Sequence, residues 1–251
     1  MTWAFVPLEQ QIDEGFGSVA DAFKEAADRL AEKLSPGHSL FLEHLPVNYL
    51  YRHAMELYLK SLVLLLHKSF SIPFADADNP GEPLLSKGKS LVAVRKTHSI
   101  KLLYDHVRRL FVEYRDAIEL RSRTDWWTEL PNLDIVVAQV HQADAASMLF
   151  RYPMSGDVTG DSKKQGLQPV STSELPGRLQ KSKRRRVVSV TLDGQGAITA
   201  AYEVFPEPLR AATEALVVGA ELLSLMCFGL RVELEAGSAA GGRGTGQRDR
   251  A

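Results

Sequence analysis

The sequence predicts an all-α fold: a helical bundle of about five helices with a small β-hairpin inserted before the last helix. Three observations support this prediction. Apolar residues recur at spacings of three and four along most of the chain, as on the buried face of a helix. The segment Val47–His67 is apolar on nearly every side, which is typical of a helix at the centre of a bundle. Residues 188–204 alternate apolar and polar side chains around Gly194-Gln195-Gly196, as a hairpin does.

The first half of the chain should contain three helices. The first ends at Ser35-Pro36-Gly37, and the second begins at Pro46, a residue favoured in the first turn. Residues 73–96 have three prolines and little periodicity, so we expect a long connection there. A third helix follows from Ser99, with Thr97 as its expected N-cap.

The second half should contain the hairpin and two more helices. A fourth helix starts at Pro131 and stops at Arg151-Tyr152-Pro153. Residues 155–183 are polar and should form a surface segment, and Pro206 should open the fifth helix. We therefore expect one domain over 1–235, in which 154–205 is a loop and hairpin insertion. The glycine-rich residues 236–251 should form a disordered tail.

Composition limits the classes of function. The 251 residues are 45% hydrophobic and 24% charged, which is ordinary for a globular protein. The net charge is −1, so attraction to RNA or to anionic lipid must come from a local cluster. The single cysteine, Cys227, permits neither an intramolecular disulfide nor a cysteine-based zinc site, and favours a reducing, cytoplasmic setting. We expect no signal peptide, and the charges within both long apolar runs argue against a membrane span.

The strongest candidate site is a charged stripe on the second helix. Arg52, Glu56 and Lys60 are spaced i, i+4 and i+8, with His53 beside the first of them, so they share one side of an otherwise apolar helix. Buried charges must find partners inside the protein or line a cleft. One interpretation is an internal ladder of ion pairs that fixes the helix register. The other places Arg52 and Lys60 on a phosphate or oxyanion, with His53 as the acid or base.

Three further groups carry weaker signals. His98, at the start of the third helix, could position its neighbours or act as an acid or base. The run Lys181–Arg186 holds five positive charges in six residues, which suits either phosphates or a solvated loop; the candidate ligands are Lys183, Arg184, Arg185 and Arg186. Arginines beside Trp126 and Trp127 suit single-stranded nucleic acid or, as we favour, a corner between helices. The histidines show no i, i+4 pair, so we expect no metal, and no motif indicates a cofactor.

Three short segments resemble the HEPN superfamily. Residues 50–64 read LYRHAMELYLKSLVL and residues 95–104 read RKTHSIKLLY, similar to the family's E-x-x-x-K helix and its following T-H-D/S-L element. Phe150-Arg151-Tyr152-Pro153 is similar to an R-Y-P element before the last helix of many members. The resemblance implies a helical bundle that forms a homodimer, in prokaryotic toxin–antitoxin, antiviral defence or RNA-processing systems. Many members are metal-independent ribonucleases whose active site pairs an Arg and a His separated by four to six residues and contributed across the dimer.

No Arg and His in this sequence have that spacing: Arg52–His53 and Arg95–His98 are too close, and the other pairs are too distant. Two hypotheses follow. The first is a HEPN-like protein that acts by dimerisation and by binding RNA or a protein encoded in the same operon, with Glu56 and Lys60 among its binding residues. The alternative is an endoribonuclease with a non-standard catalytic set of Arg52, His53 and His98. A small-ligand pocket at the same place is a third, weaker idea.

Overall fold

The computed structural model describes residues 5–34, 42–74, 81–173, 187–205 and 209–241. Its fold is mixed α/β, and the prediction of an all-α bundle is wrong. The described residues contain seven α-helices, one two-stranded antiparallel sheet and one three-stranded antiparallel sheet. The helices are α1 Phe16–Ala31, α2 His44–Ser69, α3 Ile100–Glu113, α4 Arg115–Arg121, α5 Leu130–Ala143, α6 Val158–Ser162 and α7 Arg210–Gly241. The strands are β1 Leu84–Lys87, β2 Ser90–Ala93, β3 Leu167–Val170, β4 Val187–Leu192 and β5 Ile198–Val204.

Helix α2 lies at the centre of the core, as its composition predicts. It packs against α1, α3 and α7, while α5 packs against α3 and α7. The leucines of its second half are almost completely buried: Leu59, Leu62, Leu64, Leu65 and Leu66. Burying so many large side chains gives this helix the largest share of the hydrophobic stabilisation, at about 1.5–3 kcal/mol for each leucine. The helix begins at His44, so Pro46 lies within its first turn and not at its start.

The third helix also differs from its prediction at its N-terminus. The N-cap is Ser99, whose hydroxyl accepts a hydrogen bond from the Leu102 N–H at 3.3 Å, so the expected cap at Thr97 is wrong. Thr97 is extended and buried two residues earlier. At the other end, Tyr114 has φ −106° and ψ 25°, which ends α3 and starts α4. The Ser99 cap fixes the direction in which the chain leaves His98, the preceding residue.

The predicted hairpin is present, and two features around it were not predicted. Strands β4 and β5 pair antiparallel, with Gly196 at φ 86° in the connecting turn. Strand β3 adds to the other edge of β5, in the order β3-β5-β4. It carries Pro169, which an edge strand tolerates because one side of it lacks a partner strand. Strands β1 and β2 form a second hairpin inside the stretch 73–96, which we expected to be a loop.

The last helix is longer than expected. It starts at Arg210, and residues 206–208, where Pro206 should open it, lie outside the described residues. It continues to Gly241, within the predicted tail, and 242–251 are outside the described part. The basic run Lys181–Arg186 is outside it as well. The segment Arg210–Glu235 is long and apolar enough to span a membrane by composition alone, and half of its most apolar window is buried inside the protein.

Candidate functional site

Glu56 lies at the centre of a buried charged cluster. Its side chain is 1% exposed, and four basic side chains contact its two carboxylate oxygens. Oε1 accepts hydrogen bonds from Lys60 Nζ at 2.9 Å and from His98 Nδ1 at 2.9 Å. Oε2 accepts from Arg52 Nη1 at 3.3 Å and from Arg151 Nη2 at 3.5 Å. We call these five residues the Glu56 cluster.

Arg52 is an internal cross-link. Its side chain is 2% exposed, and its Nε lies 2.7 Å from Oδ2 of Asp144, a residue that ends α5. Its Nη2 donates to the His98 carbonyl at 2.8 Å and to the Ser147 hydroxyl. The Ser147 hydroxyl in turn donates to the same carbonyl at 2.7 Å. Arg52 therefore holds three segments of the chain together and leaves little of its guanidinium for a ligand.

Asp144 fixes the turn that follows α5. Its Oδ1 accepts from the backbone N–H groups of Met148 and Leu149, at 2.7 and 2.9 Å. Ser147, within that turn, has φ 62°, a left-handed conformation that a side chain rarely adopts. The two hydroxyl contacts of Ser147 offset this strain. The turn thus places residues 150–152 beside α2.

Lys60 is also internal. Its side chain is 4% exposed. Besides Glu56 it donates to the Arg95 carbonyl at 3.2 Å, and its ammonium lies 6.0 Å from the centre of the Phe16 ring. Together with Arg52 it supports Glu56 from inside the protein, where neither cation can meet a ligand.

His98 and Arg151 carry the cluster to the surface. The His98 side chain is 51% exposed and the Arg151 side chain 21% exposed. Because the Glu56 carboxylate accepts from His98 Nδ1, that nitrogen carries the proton, and Nε2 of a neutral ring is left as an acceptor. One buried carboxylate therefore orients an accessible imidazole on one oxygen and an accessible guanidinium on the other.

The electrostatics of the cluster favour an anion. Burial on its own would raise the pKa of Glu56. The charge of Lys60 and its hydrogen bond, with a further contribution from His98, nevertheless hold that pKa below its usual value, so the carboxylate stays ionised. The cations Arg52, Lys60 and Arg151 face two carboxylates, Glu56 and Asp144, which leaves an excess of one positive charge.

His53 points away from this cluster. Its ring meets Phe23 edge-on at 4.5 Å between centroids and stacks parallel to Tyr49 at 5.9 Å. Burial lowers its pKa, and its buried Nδ1 has no hydrogen-bond partner among the described residues. The structure therefore brings the Arg52 and His98 segments together but leaves the His53 ring on another side of α2. Arg52 meets only the backbone of His98, so the predicted set of Arg52, His53 and His98 does not converge on one point.

A groove adjoins the accessible side of the cluster. It has a volume of about 590 Å³ between the start of α2 and the segment after α5. We call it the aromatic groove; its lining residues are Leu45, Pro46, Tyr49, Phe150, Arg151 and Tyr152. Arg151 belongs to both features, because its guanidinium contacts Glu56 and lies 5.9 Å from the centre of the Tyr49 ring.

Sequence reasoning missed three members of this site. Arg151 stood in the R-Y-P element, yet no helical period linked it to Glu56, 95 residues earlier. Asp144 and Ser147 belong to an irregular turn, which has no periodicity to read.

The Trp pair forms a helix corner, as favoured: the Trp126 indole N–H donates to Ser122 and Glu233, and Trp127 packs on Phe111. Among the described residues no group of three or more His, Cys, Asp or Glu side chains could hold a metal ion.

Comparisons of this chain with protein-family models, with curated proteins and with solved structures find no match. The similarity to the HEPN superfamily accordingly stays a prediction from the three short segments quoted above.

Proposed function

We propose that this chain is an RNA-binding protein that takes a backbone phosphate between His98 and Arg151. The observation that carries the proposal is that these two side chains contact the two oxygens of the buried Glu56 carboxylate, while His98 is 51% exposed and Arg151 is 21% exposed. Through its resemblance to the HEPN superfamily, the proposal extends to a prokaryotic defence or toxin–antitoxin system.

The chemistry of a phosphate suits this arrangement. A guanidinium offers a planar set of N–H donors that matches phosphate oxygens. While Nδ1 of His98 donates to Glu56, its Nε2 can accept a hydrogen bond from the ribose 2′-hydroxyl beside that phosphate. Glu56 holds both groups in place before a ligand arrives, so little side-chain entropy is lost on binding. The local excess of positive charge supplies the attraction that the net charge of −1 does not.

A salt-titrated binding assay with a short single-stranded RNA tests the proposal. Arg151→Gln should weaken binding about tenfold and reduce the salt dependence by roughly one phosphate contact. Arg29→Gln is the matched control, because Arg29 is an exposed arginine of α1 whose one ion pair within the described residues is with Glu25. Equal losses in the two variants, or no salt-dependent RNA binding by the unmodified protein, would contradict the proposal.

The alternative function, a metal-independent endoribonuclease, is favoured by one specific observation: Nε2 of His98 faces solvent while Nδ1 is held by Glu56. In that reaction Nε2 would take the proton of a ribose 2′-hydroxyl, whose oxygen would attack the adjacent phosphorus. The 5′ oxygen of the next nucleotide would leave and take up a proton from water, while His98 returns the 2′-hydroxyl proton to solvent, giving a 2′,3′-cyclic phosphate. Arg151 would stabilise the charge that builds on the phosphoryl oxygens.

RNA cleavage in the presence of EDTA separates the two functions. A nuclease should release 2′,3′-cyclic phosphate ends, and His98→Ala should abolish cleavage while RNA still binds. Intact RNA at high protein concentration would remove the nuclease and leave the binding function. A homodimer, a protein partner from the same operon and a cytoplasmic location stay predictions of the sequence.

A further inference from the structure

The aromatic groove has features that a phosphate site alone does not require. Three of its six lining residues carry aromatic rings, and the most exposed of them, Tyr152, is 53% exposed. We propose that the groove holds one unpaired nucleobase of the bound RNA, while the adjoining phosphate lies between Arg151 and His98. This inference rests on the proposed RNA-binding function and adds to it the class of substrate: a single strand and not a duplex.

The groove is rigid where a base would lie. Tyr49 projects from the first turns of α2, and the parallel ring of His53 supports it at 5.9 Å with an interplanar angle of 6°. Phe150 is 6% exposed and packs into the main core. Both rings are thus held by the fold, Phe150 by the core and Tyr49 by His53 and by Arg151, whose guanidinium lies over the Tyr49 ring. The ring with an exposed face for stacking on a base is Tyr152.

Arg151 has donor capacity that the protein does not use. Its Nε is buried and makes no hydrogen bond within the described part of the chain. Its contact with Glu56, at 3.5 Å, is the longest in the Glu56 cluster. The side chain is 21% exposed and lines the groove, so part of the guanidinium is open to a ligand. A phosphate or a base carbonyl in the groove would give its accessible N–H groups an acceptor.

Size and charge select a nucleotide among small ligands. A volume of about 590 Å³ lies within the range of roughly 300–1,000 Å³ that ligand pockets usually have. The apolar side of the groove, which includes Leu45 and Pro46, suits the face of a base. The cationic end at Arg151 suits the phosphate attached to it. Bases that are stacked in a duplex cannot turn their faces to the exposed ring of Tyr152, so the groove suits an unpaired base.

Three RNA probes of equal length test the inference: a single strand, the same strand lacking its bases, and a duplex. The variant is Tyr152→Ala, and the control in the same segment is Met154→Ala, which removes a side chain that is 70% exposed and does not line the groove. Tyr152→Ala should weaken binding of the single strand at least fivefold and leave binding of the abasic strand unchanged. Tyr152→Phe should keep full affinity, because it keeps the ring.

The outcomes separate this inference from the proposed function. If the abasic strand binds as tightly as the natural strand, or if the duplex binds best, the nucleobase site is wrong while phosphate binding stands. Normal affinity of Tyr152→Ala for the single strand would also overturn it. If none of the three probes binds, the proposed function is wrong, and the nucleobase site falls with it.

Discussion

Helix α2 carries two buried charged clusters side by side, and only one of them opens to solvent. Lys60 belongs to the Glu56 cluster. The next residue, Ser61, donates to Asp13, whose carboxylate also pairs with Arg231 of α7 and accepts from the Gly17 N–H at 2.8 Å. We call Asp13, Gly17, Ser61 and Arg231 the Asp13 cluster. The Asp13 side chain is 0% exposed and that of Arg231 is 4% exposed, so this second cluster is closed.

The comparison shows that burial of charge does not by itself mark a site. Both clusters satisfy a buried carboxylate with cations and hydrogen bonds, as any interior charge requires. The Asp13 cluster ties the segment before α1 to α2 and α7, and it has no exposed member among these four residues. The Glu56 cluster ends in two accessible side chains, His98 and Arg151. Function is therefore expected where the network reaches the surface.

The largest expected effect is on stability, from Asp13→Ala. This variant removes the carboxylate opposite Arg231, and the loss of one partner of a buried pair destabilises by about 3–5 kcal/mol. Urea denaturation followed by circular dichroism measures it. Glu25→Gln, at an exposed pair on α1, is the control and should change the free energy of unfolding by less than about 1 kcal/mol. The folded fraction of Asp13→Ala should bind RNA with normal affinity. Weaker binding would contradict the claim that only the Glu56 cluster takes part in RNA binding.

Glu56→Gln should lower both stability and RNA affinity. The amide keeps the shape of the carboxylate but removes the charge that four basic side chains share, so we expect a loss of roughly 3 kcal/mol in the free energy of unfolding. The amide has one oxygen and one NH₂ group, so His98 and Arg151 can no longer both donate to it, and the variant should bind RNA about tenfold more weakly. The two quantities are measured on the same sample, by urea denaturation and by fluorescence anisotropy. A variant that loses stability and keeps its RNA affinity would show that the Glu56 cluster, like the Asp13 cluster, only stabilises the fold.

The sequence predicted which side chains share one side of a helix, but not the contacts between separate elements. The i, i+4, i+8 spacing of the stripe predicted that its side chains share one side of α2, because a helix period fixes relations within one element. The period says nothing of partners from other elements, such as Asp144, Ser147 and Arg151, which folding brings from more than 80 residues away. The two-stranded sheet was missed for a related reason. Its strands are four residues long, too short for an alternating pattern to stand out.

A smaller effect is expected from a third buried polar group, which contains no carboxylate. The Nε2 atoms of His67 and His106 lie 3.2 Å apart, and the two rings are stacked. One arrangement of protons satisfies every contact: Arg109 donates to His106, His106 to His67, and His67 Nδ1 to the Ile72 carbonyl. Both rings are neutral in that arrangement. Burial, the charge of Arg109 and the neighbouring His67 lower the pKa of His106 to about 4, and burial also lowers that of His67.

Stability should fall at acidic pH, because folding lowers the pKa of both His67 and His106. In the unfolded chain both rings take up protons below a pH of about 6.5, while in the folded chain they resist protonation. The free energy of unfolding should therefore be constant above this pH and fall as the pH drops from 6.5 towards 4. Urea denaturation at several pH values measures the slope, and His106→Gln should make it shallower. An equal slope in the variant would show that other groups cause the loss.

The most direct test of the account is a titration with short single-stranded RNA, followed by the histidine ring signals in the NMR spectrum. The account predicts that the His98 signals shift in proportion to the bound fraction, since its ring lies at the accessible end of the Glu56 cluster. The signals of His67 and His106 should stay in place, because these rings are buried in a separate group. Saturating RNA that leaves His98 unmoved, or that shifts all three rings equally, would contradict the claim that the Glu56 cluster is the functional site.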